Sequence, residues 1–245
     1  MAFIQYFTVF TMRIYLYVDK YTHKIMGLFM IVFCGISLNV AAEQQLKKSV
    51  EVLPIGNFSL GDLDGWEVKE FNGKTEYKIV TSDNGDKVLR TNSNNCASGL
   101  FKEKRIDLQK TPYLNWSWKT DALFSGLNEK EKSGDDFVAR IYIVIDGGMF
   151  VWKTKALNYV WSSTYEKGEF WPNPYISNAT IFAVESGREK VGQWLSYKRN
   201  VREDLKKVLG KEVRYIDAIA VMTDSDSSGQ QATSYYGDVY FSAEY

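Results

Sequence analysis

From residue 66 onward, apolar and polar positions alternate with a period of two over short runs, the pattern of strands with one face toward a core. Leu114, Trp116 and Trp118 alternate with Asn115, Ser117 and Lys119. Phe71-Asn72-Gly73-Lys74 lies between Trp66-Glu67-Val68 and Tyr77-Lys78-Ile79-Val80. Asn-Gly between two such runs predicts a hairpin, because both turn residues of the favoured geometry need positive φ. Asp83-Asn84-Gly85-Asp86 predicts the next turn, ahead of Val88 and Leu89. Further strands are predicted at 97–102, 137–146, 149–153, 156–162, 179–185, 192–198, 215–223 and 234–242. The run 137–146, FVARIYIVID, is apolar on both faces and reads as a central strand. About eleven short strands separated by turn residues predict an all-β fold, an antiparallel β-sandwich or jelly roll.

One short capped helix is predicted at 201–209. Asn200 stands at the N-cap position, with Glu203 three residues on as in a capping box. Val201, Leu205, Val208 and Leu209 form one apolar stripe. Lys206 and Lys207 suit the carboxyl end of the dipole, and Gly210 is the expected residue after the last turn. The polar stretch Ser125–Gly134 reads as a loop or a short exposed helix. No repeat or long linker divides the chain.

The amino terminus has a different character. Residues 25–42, IMGLFMIVFCGISLNVAA, follow Lys24 and end in Val40-Ala41-Ala42, a small-residue cleavage site. Residues 1–42 therefore read as a signal peptide with an over-long n-region, which initiation at Met12 would shorten. The rival reading is an uncleaved anchor, since the apolar run approaches the roughly 17–25 residues of a spanning helix. Phe33 before Cys34 argues against lipidation. On the signal reading, 43–245 is a single domain, periplasmic or secreted, with no membrane contact after cleavage.

Removing that segment changes the composition. The whole chain holds 30 basic and 30 acidic side chains, one histidine and two cysteines. Arg13, Lys20, Lys24, Asp19, His23 and Cys34 leave with residues 1–42, so 43–245 keeps 27 basic and 29 acidic groups, no histidine and only Cys96. Without histidine there is no Ser-His-Asp or Cys-His chemistry and no His-ligated metal. One cysteine forms no internal disulfide. A net charge of −2 gives no basic footprint for nucleic acid.

Several motifs are familiar in this order: Trp116-Ser117-Trp118, Gly134-Asp135-Asp136-Phe137-Val138-Ala139-Arg140, Leu157-Asn158-Tyr159-Val160-Trp161-Ser162, Trp171-Pro172-Asn173 and Ser177-Asn178-Ala179. They continue with Arg199-Asn200-Val201-Arg202-Glu203-Asp204, Met222-Thr223-Asp224-Ser225-Asp226 and Tyr236-Gly237-Asp238. From about Asn57 to Phe241 the chain resembles the DUF3047 family of exported bacterial proteins of unknown function. The resemblance implies export from a Gram-negative bacterium and a single β-rich domain. It implies no activity and no site residue.

Three constellations could carry chemistry. Asp224, Asp226 and Ser228 stand at positions 1, 3 and 5 of a loop with Gly229 at 6, the opening of a calcium loop in which alternate oxygens converge on one hard cation. Position 12 is Tyr235 and no helices flank the loop, so an EF-hand is excluded. A looser structural calcium site completed by Asp238 and a plain polar turn are the two readings. In the strand 137–146, Arg140 shares a face with Val138, Tyr142, Val144 and Asp146. An arginine in an apolar strand needs a partner. Asp135, Asp136 and Glu185 are candidates for a buried pair that fixes the sheet, and the other reading is an arginine at the floor of a concave face, holding a ligand. Residues 156–178 are rich in aromatics and amides, including Asn158, Trp161, Trp171, Asn173, Tyr175 and Asn178. Such residues fit a carbohydrate site, in which rings cover the apolar face of a sugar and amides bond its hydroxyls, and they equally fit a sandwich core. Trp171, in a proline-flanked loop, is the expected exposed platform.

No phosphate-cradling loop or nucleophile elbow is present, and no catalytic residue is assigned. The favoured reading is an exported sandwich that binds carbohydrate or another envelope ligand. The alternatives are a polysaccharide-active enzyme using carboxylates such as Asp135, Asp136 or Glu185, and a protein-interaction component of an envelope complex.

Overall fold

A computed structural model describes residues 51–243. The predicted targeting segment, 1–42, lies outside them. The described residues form two seven-stranded sheets and one α-helix. The first sheet holds β1 (Val52–Gly56), β3 (Glu76–Thr81), β4 (Lys87–Asn94), β6 (Tyr113–Thr120), β11 (Leu195–Asn200), β13 (Gln231–Tyr236) and β14 (Val239–Ser242). The second holds β2 (Trp66–Asn72), β5 (Ala97–Asp107), β7 (Arg140–Ile145), β8 (Lys155–Ser162), β9 (Phe170–Pro172), β10 (Ala179–Ser186) and β12 (Tyr215–Met222), in the order β2-β5-β12-β7-β8-β10-β9. The pairings are antiparallel except one, β8 with β10, which run parallel. A parallel pair needs a crossover, and the connecting residues 163–178 supply it, carrying β9.

The predicted alternation places the core between the sheets. Leu114, Trp116 and Trp118 of β6 are buried against Ile141, Ile143, Leu157, Tyr159 and Trp161 of the opposite sheet. Trp116 stacks on Tyr159 across the interface at 5.6 Å and on Tyr197 of its neighbouring strand at 5.0 Å. The all-β sandwich with one short helix is thus the observed fold.

Local differences have physical reasons. The Asn72-Gly73 turn does not close a hairpin. β2 pairs with β5 and β3 with β4, so the turn carries the chain from one sheet to the other. Thr75 anchors the crossing: its N–H donates to Ser98 Oγ and its hydroxyl to the Thr223 carbonyl. The 83–86 turn does close a hairpin, with Thr81 opposite Lys87 and Gly85 at φ +91°. The predicted strand 149–153 is instead a loop ending in a 3₁₀ turn, Val151–Lys153. A Cβ on Gly147 would lie 2.2 Å from the Phe150 carbonyl oxygen, so the loop folds back closer than any side chain permits. The strand predicted at 137–146 starts only at Arg140, and 234–242 divides into β13 and β14. β1 and β9 were not foreseen.

The helix α1 (Val201–Leu209) matches its sequence signals. Asn200 Oδ1 accepts from the Glu203 N–H at 3.2 Å, and Gly210 ends it at φ +68°. Val201 and Leu205 join the core. No helix among the described residues is long and apolar enough to cross a membrane.

Candidate functional site

Alternation along β7 turns Ile141 and Ile143 into the core and leaves Arg140, Tyr142 and Val144 on the outer face of the second sheet. Ala156 of β8, Ala179 of β10, and Met222 of β12 lie on the same face, in register with them. They floor a groove of about 620 Å³. Loops and one strand end build its walls. The end of β2 contributes Phe71 and Asn72, the β7–β8 loop Trp152 and Thr154, the β9–β10 loop Asn173, Tyr175, Ile176 and Asn178, and the loop after β12 Asp224, Asp226 and Ser227. Small floor residues give the groove depth, because alanines leave room that larger side chains would fill.

Arg140 sits at this floor, only 2% exposed. Nη1 donates to Asp224 Oδ2 at 2.6 Å and to the Tyr142 hydroxyl at 3.2 Å. Nη2 donates to Asp135 Oδ1 at 2.8 Å and to its carbonyl at 3.3 Å. All four Nη hydrogens are thus engaged within the protein, and Nε is buried without a partner. Burial alone would lower the guanidinium pKa, but Asp224, Tyr142, Asp135 and Asp136 raise it, so it stays charged. Burial pushes the Asp224 carboxyl well above its ordinary value. Arg140 pulls it down, while Asp136 and Asp135 push it further up. Asp135 also moves up through burial, against the pull of Arg140. Burial is the main reason a proton is held here more tightly than in water, and the crowding of Asp136 beside the two carboxylates bonded to Arg140 adds to it.

The other predicted residues fall into three groups. Asn173 and Asn178 line the groove. Asn173 Nδ2 donates to Asp135 Oδ2 at 2.8 Å, while its Oδ1 accepts from the Tyr175 and Ile176 N–H groups and so fixes the loop. Asn178 Nδ2 donates to the Trp152 carbonyl at 2.6 Å, tying two loops of the rim together. Asn158 and Asp136 are buried behind the groove. Asn158 stands beside the Tyr142 hydroxyl, and its amide makes no well-aligned hydrogen bond. Asp136 accepts from the Ser227 and Ser228 N–H groups at 3.1 and 2.6 Å. The remaining two, both tryptophans, pack inside. Trp161 is in the main core, donating from Nε1 to the Gly187 carbonyl. Trp171, expected as an exposed platform, is 4% exposed. It belongs to a small second core with Phe137, Val160, Ile181 and Ala183, roofed by Tyr165, and its Nε1 donates to the Glu129 carbonyl. The crossover carries it in as the middle residue of β9 and lays it on Val160 of β8 and Ile181 and Ala183 of β10.

The exposed rings are others. Phe71, Trp152 and Tyr175 line the groove and are 63%, 67% and 56% exposed. Phe71 packs edge-on against Phe101, and the Tyr175 hydroxyl donates to the Lys132 carbonyl at 2.9 Å. Sequence reasoning assigns Trp152 to a strand and Phe71 to a turn. The signal for an exposed Trp152 is Gly147-Gly148 directly before an apolar run, a turn that brings the next residues to the surface.

Glu185 is not an Arg140 partner. It accepts from Tyr197 at 2.6 Å and pairs with Lys190 at 3.1 Å. Of the predicted calcium ligands, Asp224 and Asp226 come together with Asp136, their carboxylate oxygens within 4.8 Å of one another. The oxygens suit a hard cation in type. Each carboxylate already accepts N–H bonds, Asp226 from Asn72 at 3.2 Å. Ser228 Oγ accepts from Gln230 N–H, and Asp238 binds the Ser59 N–H and hydroxyl at 2.8 and 2.6 Å.

A family described as "Protein of unknown function (DUF3047)" matches residues 64–240. No curated protein matches the sequence. Among solved structures, a family 11 carbohydrate-binding module from Clostridium thermocellum, in complex with a β-1,3-1,4-mixed-linked tetrasaccharide, is similar at 13% identity. That match covers 79% of this chain and 96% of that one, with a TM-score of 0.43. A family 30 carbohydrate-binding module of a cellulosomal cellulase of Clostridium thermocellum is similar at 16% identity, covering 74% of this chain and 92% of that one, with a TM-score of 0.42.

Proposed function

The chain belongs to the DUF3047 family, and we propose that it binds a glycan in the groove on the outer face of the second sheet. The observation that carries this reading is the set of three exposed rings, Phe71, Trp152 and Tyr175, around an apolar floor with amides between them. Exposing such rings to water is unfavourable, and grouped exposure marks a binding surface. A pyranose fits it chemically, since its C–H face covers a ring while its hydroxyls meet amides and carboxylates. Trp152 and Tyr175 serve as platforms. Asn72, Asn178 and Asp226 meet hydroxyls, and Arg140 holds the floor in shape through Asp135, Asp224 and Tyr142. Asp135 and Asp224 are both tied to that guanidinium, which fits holding better than proton transfer.

A glycan-binding screen on the purified protein tests the reading. Binding without change in polymer length is expected, with a roughly 3–10-fold loss in Trp152→Ala, the range of one aromatic contact. Trp152 is exposed, so the same variant should keep its melting temperature. Shortened polymer, or undiminished binding by Trp152→Ala, would overturn it. Export is part of the proposal and rests on residues 25–42. Amino-terminal sequencing of the secreted protein should begin near Glu43, and a chain retaining Met30 removes the cleavage claim.

A further inference from the structure

A second depression, of about 520 Å³, shares Lys155 with the groove. It lies where β7 ends and β12 begins, walled by Gly147, Gly148 and Tyr215. Its lining holds five cationic and three acidic side chains, a net charge of +2. The acids are largely spent. Glu212 is paired with Arg202 and Lys206 of α1, at 3.1 and 2.8 Å, and neither of those lines the depression. Asp217 lies 3.7 Å from Arg105 and accepts from the Asp146 N–H, while the Asp146 carboxylate accepts from the Gly148 N–H and is the one acid of the lining with no cation paired to it among the described residues. Arg214 is paired with Asp107 at 3.0 Å. That leaves Lys153, Lys155 and Lys211 with no acidic partner among the described residues. Lys153 has only the Phe150 ring, 4.4 Å away. Three ammonium groups on one concave wall repel one another and concentrate anions.

The groove is different in charge. Its cation at the floor is fully used by Asp135 and Asp224, and Asp226 adds a further negative charge. The sugar-binding stretch therefore suits neutral ring faces and hydroxyls, and its neighbour past Lys155 suits an anion. We infer that the ligand is an acidic polysaccharide, whose rings lie in the groove and whose carboxylate or sulfate groups are held by Lys153, Lys155 and Lys211. This inference rests on the glycan reading above and adds the class of glycan. Lys155, on the wall common to both, sets where a ring ends and its acidic substituent begins.

The experiment compares pairs of polymers that differ only in charge: pectate, alginate and hyaluronan, each against its carboxyl-reduced form, together with chondroitin sulfate against its desulfated form. Inorganic phosphate is the free-anion control. The protein is the wild type and the Lys153→Gln/Lys211→Gln variant, whose changes lie outside the groove. The expected result is one acidic polymer that binds at least about tenfold tighter than its neutral counterpart, a preference that shrinks with added salt and is lost in the variant. Trp152→Ala should weaken both members of that pair. Equal binding of acidic and neutral partners, or a preference that survives in the variant, overturns the inference and leaves the glycan reading standing. Binding of no polymer of either kind overturns both. Lysine-dependent binding of phosphate without any acidic polymer overturns the polysaccharide assignment in favour of a free-anion site.

Discussion

Arg140 of β7 and Asp224, the second residue past β12, meet at 2.6 Å although 84 positions separate them. Both are almost fully buried, at 2% each. The pairing joins the floor of the groove to the loop that carries Asp226 and Ser227 along its rim. Arg140→Met removes the charge shared by Asp135 and Asp224 and should destabilise the protein at neutral pH by about 3–5 kcal/mol. Without the guanidinium both carboxyls rise further above their ordinary 3.8. A carboxyl raised in the folded state stabilises below its unfolded pKa, and that stability is lost as pH rises. The deficit should therefore be largest near pH 7 and shrink toward pH 4. Urea unfolding at the two pH values checks this. Asp224→Leu added to Arg140→Met should recover part of the loss, and an equal deficit at both pH values would contradict the argument.

Glu129 is a second buried acid, fully enclosed and held by Ser162 and by the Ser163 N–H at 2.6 Å. Burial pushes its carboxyl above the ordinary 4.5, against the hydrogen bonds from Ser162 and Ser163. Its contribution is fully present below 4.5 and disappears as pH rises through the raised value. Glu129→Gln keeps an acceptor for Ser163 and cannot ionise. Its stability should fall less than wild type between pH 4.5 and 7, as measured by thermal melts across that range.

Asn200 caps α1 through its side-chain oxygen. Asn200→Ala should cost about 1 kcal/mol and Asn200→Asp little, since aspartate accepts the same bond. Chemical denaturation of both variants separates the cap from any packing role. A neutral Asn200→Ala would mean that the Glu203 N–H finds another acceptor.

Calcium is the fourth test. Arg140 already supplies the positive charge that faces Asp224, and backbone N–H groups satisfy Asp136. Millimolar calcium should therefore leave the melting temperature unchanged. A chelator-reversible rise, lost in Asp226→Asn, would instead place a cation among Asp136, Asp224 and Asp226.

Much was legible in one dimension. The 114–118 alternation named an inward face, and the Asn200 and Gly210 signals bounded the helix within a residue. Period two sets Arg140 on the face opposite Ile141 and Ile143, and Asp135, five positions away, is the partner it meets there. These features depend on neighbours a few positions away, or on a period of two, so the sequence carries them directly.

Other features depend on contacts that local pattern does not encode. Period two tells which residues share a face, but not what covers that face. The crossover before β10 folds its own Trp171 onto β8 and β10, and the fold of the β7–β8 loop exposes Trp152. Asn72-Gly73 has the chemistry of a hairpin turn, yet pairing with β5 and β4 sends its two strands to different sheets. Asp224 read as a loop ligand, and only the approach of β12 to β7 made it the partner of Arg140. The sequence by itself determined most of the strands, the inward face of those with strict alternation, the helix and the absence of histidine from 43–245. Tertiary structure decided which aromatic rings meet solvent and which charges meet each other, because both are settled by strands and loops far apart in the chain packing on one outer face.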